Sequence, residues 1–149
     1  MSVVSVDKDY ERLTLTIVAE FPATAERVWQ LWADPRRLER WWGPPEHPAT
    51  VDRHELRPGG EVVSRGHWHV KAVDAPLALA FTDRFAGADG TPDPASPAIE
   101  ARMELTESDG ATRMTLRFAF ESPEHMDRLR RLEAFAIVES SVAQMDALL

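Results

Sequence analysis

The C-terminal part of the chain has its longest uninterrupted helical pattern, and this pattern limits what the rest of the chain can fold into. Ser122-Pro123 is a typical helix start, an N-cap serine followed by proline at the first helical position. No glycine or proline follows, and a bend is expected near Phe135. A helix with one apolar stripe needs an apolar surface to cover it. The stripe consists of Met126, Leu129, Leu132, Phe135, Val138, Val142, Met145 and Leu149.

The preceding sequence predicts that covering surface as a set of β-strands. Residues 12–21 alternate apolar and polar side chains from Leu13 to Phe21, which is the period of a half-buried strand. Ser108-Asp109-Gly110 predicts a hairpin turn, and Arg65-Gly66 a weaker one. Strands joined by such turns pair in an antiparallel sheet. Further strands are predicted over 49–56, 61–64, 67–73, 77–85, 99–106 and 112–120.

Two short helices are predicted between the first and second strands. Thr24 is the expected N-cap of a helix over 25–33. Asp34-Pro35 begins the second helix, which Gly43-Pro44-Pro45 ends. Residues 86–98 consist largely of turn formers and proline, and they predict a surface loop.

This order of elements predicts an α+β fold in one domain, residues 1–149, with 1–11 as a flexible N-terminus. A curved antiparallel sheet needs one face covered, and the long C-terminal helix is the only predicted element large enough to cover it. We expect an apolar cavity between this helix and the sheet, with the two short helices closing one end.

Charge and hydropathy narrow the classes of partner. The net charge is −8, from 17 basic and 25 acidic residues. Nucleic-acid binding needs a basic face and anionic membranes attract basic segments, so neither partner is expected. No run approaches the ~18 apolar residues of a membrane span, and the N-terminus lacks the pattern of a signal peptide. We therefore expect a cytoplasmic protein.

The sequence offers no catalytic motif and no cofactor motif. It has no cysteine, no nucleophile elbow, no phosphate-binding glycine loop and no HExxH zinc motif. His67 and His69 share one face of a strand, but His47, His54 and Glu55 lack the spacing of further zinc ligands. We expect no metal, no cofactor and two solvent-facing histidines, and the sequence leaves enzymatic activity open.

Several large side chains are candidates for the cavity wall. Adjacent helical residues point about 100° apart, so of Trp41 and Trp42 one is expected in the core and one near the cavity rim. Asp83 shares the strand parity of Phe81 and Phe85, which leaves two alternatives: an inward carboxylate that anchors a ligand, or an exposed carboxylate at a twisted strand end. The predicted ligand-binding residues are Trp41, Trp68, Phe81, Asp83, Met103, Met114, Phe118, Phe135 and Val138.

Four stretches carry a family resemblance: FPATAERVWQLWADPRRLERWWGPP, ELRPGG, GHWHVKAVDAP and DGTPDPASP. Together they resemble the START-like superfamily with its helix-grip fold, and within it the AHSA1-like (activator of Hsp90 ATPase homologue-like) branch often called SRPBCC. The resemblance covers the chain from about residue 12. Between Gly60 and His67 the chain has only EVVSRG, where members of the family usually carry a longer hairpin.

The resemblance implies a cavity between sheet and helix, and it leaves three functions open. The first is binding of a small hydrophobic or amphipathic ligand in that cavity. The second is a protein-interaction module like the co-chaperones of the stress response. The third is a cyclase- or hydrolase-type enzyme that uses a pocket carboxylate or histidine. Self-association as a homodimer, through strands or the long helix, is compatible with each function.

Overall fold

The computed structural model describes residues 2–43, 46, 49–64 and 66–149. Its centre is one antiparallel sheet of eight strands in the order β1-β2-β8-β7-β6-β5-β4-β3. The strands are β1 Val3–Asp9, β2 Thr14–Phe21, β3 Arg53–His54, β4 Glu61–Val63, β5 Gly66–Asp74, β6 Ala78–Phe85, β7 Ile99–Ser108 and β8 Ala111–Ala119. The predicted α+β helix-grip architecture is confirmed.

Most strand predictions agree with the structure to within two residues; one strand is much shorter than predicted, and one strand was not predicted. The expected strand over 49–56 is a strand only at Arg53–His54. Residues 1–11 were expected to be flexible, whereas Val3–Asp9 pairs along β2. The turn at Asp109-Gly110 forms as predicted, with both residues at positive φ. The predicted turn at Arg65-Gly66 cannot be compared, because Arg65 lies outside the described residues.

In the described part of the chain, four helices accompany the sheet: α1 Ala25–Ala33, α2 Pro35–Trp41, α3 Pro123–Arg131 and α4 Ala134–Ala143, followed by a 3₁₀ turn at Met145–Leu148. Three predicted caps form. The side chains of Thr24, Asp34 and Ser122 accept backbone N–H groups at the starts of α1, α2 and α3. Pro44 and Pro45, expected to end α2, lie outside the described residues.

The prediction of one continuous C-terminal helix is wrong, because the helix breaks between α3 and α4. Glu133 takes a left-handed conformation with φ of 60°. Its N–H bonds to the carbonyl of Arg130, and the intrahelical ladder then starts again in α4. Leu132, predicted on the apolar stripe, is exposed at this break. The bend expected near Phe135 therefore occurs as a full interruption two residues earlier.

The core lies between the sheet and the helices. Alternate residues of β2, β7 and β8 point into it, and Trp32 and Trp41 are its largest fully buried side chains. Glu20, Glu100 and Glu104 lie on the opposite, exposed face, as their strand parity predicts. Within the described residues, no helix is long and apolar enough to cross a bilayer.

Candidate functional site

A half-open cavity of about 360 Å³, with mainly apolar walls, lies between one end of the sheet and α4. Strands β5, β6 and β7 form one side, and the residue after α2 together with α4 forms the other. The connection between β6 and β7 closes a third side. We call this space the Asp83 cavity. Its walls are Trp42, Gly66, Trp68, Asp83, Arg84, Phe85, Ser96, Pro97, Ile99 and Ile137.

The backbone register directs the Asp83 side chain into this cavity. Asp83 of β6 pairs with Trp68 of β5 on one side and with Ile99 of β7 on the other. Directly paired residues of antiparallel strands project from the same face, so the carboxylate has an indole and an isoleucine as neighbours. A Cβ placed on Gly66 would lie 3.2 Å from Oδ1 of Asp83. The carboxylate therefore occupies space that glycine leaves free at the end of β5.

Removal from water raises the pKa of the Asp83 carboxyl to about 7, because burial disfavours its charged form. The backbone N–H of Arg84 opposes the shift only weakly. Among the described residues, no side chain lies within hydrogen-bond distance of this carboxylate. Asp83 is thus a half-buried acid that changes charge near neutral pH and faces a mainly apolar space.

Two indole rings form the aromatic part of the wall. Trp42 lies just beyond the end of α2 in extended backbone. Its ring centroid is 5.0 Å from that of Trp68, and the two rings are perpendicular. Trp68 in turn stacks on Phe81 at 4.0 Å between centroids. Trp42 is half-buried, so it is the indole with a free surface at the rim.

Hydrogen bonds join the segment of Trp42 to the far end of α4. The backbone N–H of Gly43 donates to Oγ of Ser141 at 3.2 Å. Nε2 of Gln144 donates to the carbonyl oxygens of Trp41 at 3.1 Å and of Gly43 at 2.8 Å. Trp42 and Ile137, the two cavity residues opposite the sheet, therefore belong to one hydrogen-bonded unit.

A smaller cavity of about 190 Å³ adjoins the first and shares Phe85, Ser96 and Pro97 with it. His125 borders this space, and its Nδ1 has no hydrogen-bond partner among the described residues. Burial lowers the pKa of His125; the charge of Glu121 opposes this shift. The imidazole is therefore neutral at physiological pH.

Two other hollows are less suited to an apolar guest. The larger, about 530 Å³, lies between β3, β4 and the 86–98 loop, and its walls include Asp52, Arg53, Glu61 and Asp89. The second, about 340 Å³, has three arginines of α1 and α2 in its wall. Charged walls hold water strongly, so these hollows offer little gain from apolar burial.

The nine predicted ligand-binding residues separate into two groups. Trp68 and Asp83 line the Asp83 cavity. Trp41 lies in the core, where its Nε1 donates to the carbonyl of Leu31 at 2.9 Å. Trp42 occupies the position at the rim that was predicted for Trp41. The others pack away from the cavity: Phe81, Met103, Met114, Phe118 and Phe135 are buried in the core, and Val138 is half-buried.

One of the two histidines predicted to face solvent is buried instead. His69 is exposed as expected, but His67 is buried at 7% exposure, with Nε2 at 3.4 Å from Oε1 of Glu61. His54 uses Nε2 in a 3.0 Å contact with the carbonyl oxygen of Trp32. His47 lies outside the described residues. In the remainder of the chain, no three His, Asp or Glu side chains converge as metal ligands would.

The chain is similar to known proteins over nearly its whole length. Residues 22–149 match the family described as Activator of Hsp90 ATPase homolog 1-like protein. Among curated proteins, none matches the chain.

Two solved structures are similar in sequence as well as in fold. Protein Ms6760 from Mycobacterium smegmatis is 41% identical, with a TM-score of 0.91, over 99% of this chain and 96% of that one. A protein from Arthrobacter aurescens is 40% identical, with a TM-score of 0.93, over 98% of this chain and 91% of that one. A protein from Staphylococcus epidermidis shares the fold at 19% identity, with a TM-score of 0.84, over 98% of this chain and 93% of that one.

Proposed function

The chain belongs to the family of activator of Hsp90 ATPase homolog 1-like proteins, and on this premise we propose that it binds a small amphipathic molecule in the Asp83 cavity. The observation that carries the proposal is a half-open, mainly apolar space of about 360 Å³ with one carboxylate in its wall. Its size falls in the range of small-molecule sites, and such sites combine apolar walls with a few placed polar groups.

Apolar burial is the expected source of affinity. Covering about 200 Å² of apolar ligand surface contributes about 5 kcal/mol before the cost of association is subtracted. The net affinity for a simple ligand is therefore modest, and titrations need ligand concentrations in the upper micromolar range.

Exposed apolar side chains at the mouth support ligand binding over co-chaperone-like docking. Phe85 and Ile137, exposed at 57% and 41%, border the Asp83 cavity, and Leu132 borders the neighbouring one. Because these side chains surround hollows, a guest in the hollows would cover them. A docking role would instead need an apolar patch that stands apart from any cavity.

An enzyme of the cyclase or hydrolase type is the second candidate, and Asp83 is the observation that favours it. A carboxyl with a pKa of about 7 can both donate and accept a proton near neutral pH, as general acid–base catalysis requires. Asp83 would then be the group that exchanges a proton with the bound molecule. Asp83→Asn should in that case abolish turnover while leaving binding of a neutral ligand intact.

The binding proposal is tested with the neutral fluorophore N-phenyl-1-naphthylamine. We expect its emission to rise on binding to the wild-type chain, and Ile137→Trp, which fills the mouth of the cavity, to weaken binding about tenfold or more. Ala136→Trp is the matched control, because Ala136 precedes Ile137 on α4, is exposed and does not line this cavity. Unchanged binding in Ile137→Trp would contradict the proposed site.

A further inference from the structure

We propose that the natural ligand of the Asp83 cavity carries a protonated amine that pairs with the Asp83 carboxylate. The inference rests on the proposed function and goes further, because it assigns the chemical class of the ligand. It depends on two features of the cavity as the described residues form it: a carboxylate that no side chain pairs with, and aromatic walls.

The Asp83 carboxylate faces the cavity and makes no side-chain hydrogen bond within the described residues. Asp83 lies between Trp68 and Ile99, and its Oδ1 reaches over Gly66 at the end of β5. Of these neighbours only Trp68 has a polar side-chain atom, its indole N–H, and no hydrogen bond joins it to the Asp83 carboxylate. A carboxylate largely removed from water and without a partner is costly, so a guest that brings a donor to it gains more than the same donor gains in water.

No described polar group of the wall serves as that partner. The indole N–H groups of Trp42 and Trp68 make no hydrogen bond to the carboxylate. The hydroxyl of Ser96 accepts the backbone N–H of Phe85 at 3.2 Å and donates to the Pro97 carbonyl oxygen at 3.4 Å, so its proton is already used. Arg84 follows Asp83 on the strand, is exposed, and therefore projects its guanidinium from the opposite face. The described residues thus leave the Asp83 carboxylate without a side-chain donor, and a ligand can supply one.

The walls favour a positive charge over a neutral or negative one. Trp42 and Trp68 both border the cavity with perpendicular rings. Indole attracts cations more strongly than any other aromatic side chain does. An anionic ligand would meet the Asp83 charge in surroundings of low polarity, where like charges repel strongly. A hydrophobic body with an ammonium group satisfies both the apolar walls and the carboxylate.

The pH response of amine binding should belong to Asp83 alone. The other described groups that line the cavity are Gly66 and Trp68 from β5, Arg84 and Phe85 from β6, Ile99 from β7, Ser96 and Pro97 from the loop, Trp42 after α2, and Ile137 from α4. Among them Arg84 alone carries an ionisable side chain, and it extends from the face of β6 opposite to Asp83. Amine affinity should therefore follow ionisation of the one carboxylate: strong at pH 8, where Asp83 is charged, and weaker as Asp83 is protonated.

The experiment compares three ligands of one shape by titration calorimetry of the full chain: 4-phenylbutylamine, 4-phenylbutanol and 4-phenylbutyrate. At pH 8 we expect the amine to bind about tenfold or more tightly than the alcohol, and the carboxylate most weakly. Below pH 7 the amine should lose up to about tenfold per pH unit, while the alcohol stays nearly constant. In Asp83→Asn the amine and the alcohol should bind within about threefold of each other.

The outcomes separate this inference from the proposed function. Equal binding of amine and alcohol at pH 8, tighter binding of the carboxylate, or a flat pH profile for the amine would each overturn the amine inference. The cavity proposal would survive these results as long as N-phenyl-1-naphthylamine binds and Ile137→Trp prevents it. The pH profile needs only wild-type protein, so the inference stays testable even when Asp83→Asn does not fold.

Discussion

At the residue scale, Trp41 and Trp42 are adjacent in sequence but belong to different parts of the molecule. Trp41 ends α2, is fully buried and donates a hydrogen bond to the Leu31 carbonyl. Trp42 lies beyond the helix in extended backbone, and its ring contacts that of Trp68 at the cavity. The sequence predicted one core ring and one rim ring, but the end of the helix decided which was which.

This division predicts that the same substitution affects mainly stability at Trp41 and mainly ligand binding at Trp42. Trp41→Phe should lower the free energy of unfolding by about 2–3 kcal/mol, because it leaves a void and a buried carbonyl without its donor. Trp42→Phe should cost less than about 1 kcal/mol, yet weaken binding of N-phenyl-1-naphthylamine. Urea unfolding followed by circular dichroism measures both variants. A larger stability loss in Trp42→Phe would contradict the assignment.

Asp83 predicts a pH dependence of stability with a definite sign. Its folded pKa of about 7 lies above the ordinary value of 3.8, so the folded chain binds the proton more tightly than the unfolded chain between these pH values. Stability from this group is therefore greatest at acidic pH and falls as pH rises from about 4 to 7. Asp83→Asn removes this loss, and at pH 8 it should be more stable than wild type by about 1–3 kcal/mol.

The measurement is the difference in unfolding free energy between variant and wild type at pH 5 and pH 8, from urea titrations. Asp7→Asn is the control, because Asp7 is an exposed carboxylate on β1. An Asp83→Asn difference that is the same at both pH values would show that burial does not raise the pKa of the wild-type Asp83 carboxyl.

At the element scale, the break in the C-terminal helix sets the position of α4. The apolar spacing continues through residues 129–138, and glutamate is a good helix former, so nothing local marks an end at Leu132. The left-handed Glu133 nevertheless restarts the helix, and Phe135, Val142 and Met145 become buried beyond it. Packing against the sheet overrides local propensity here, which is why periodicity alone predicted one long helix.

Glu133→Gly should stabilise the protein, because glycine takes the left-handed conformation without the steric cost that glutamate has. The net gain should be about 0.5–1 kcal/mol, after the larger entropy of glycine in the unfolded chain is subtracted. Glu139→Gly is the matched control: Glu139 is exposed in the interior of α4, where glycine should cost about 1 kcal/mol. The measurement is the change in thermal unfolding midpoint of both variants relative to wild type. Equal destabilisation would mean that Glu133 is helical in solution.

At the scale of the whole molecule, the sheet and most helices were predictable, and most residues of the cavity wall were not. Alternation and capping are local patterns, so β2, β7, β8 and the starts of α1, α2 and α3 follow from neighbouring residues. The cavity forms where a loop, the residue after α2, and α4 meet one end of the sheet. Ile137 lies off the predicted stripe and Ser96 lies in a loop, so no local pattern assigned them to the wall. Asp83 was singled out because it is a polar residue on the strand face that otherwise carries the apolar side chains of Phe81 and Phe85.

The hydrogen bonds from Gly43 and Gln144 between the Trp42 segment and α4 have a consequence for redesign. One side of the mouth is a linked pair, so a substitution that displaces α4 also carries the indole of Trp42 with it. The opposite side consists of strand residues that can be exchanged one at a time on a fixed backbone. A library intended to change which molecules are accepted should therefore vary Phe85 and Ile99 first and leave the helical side untouched.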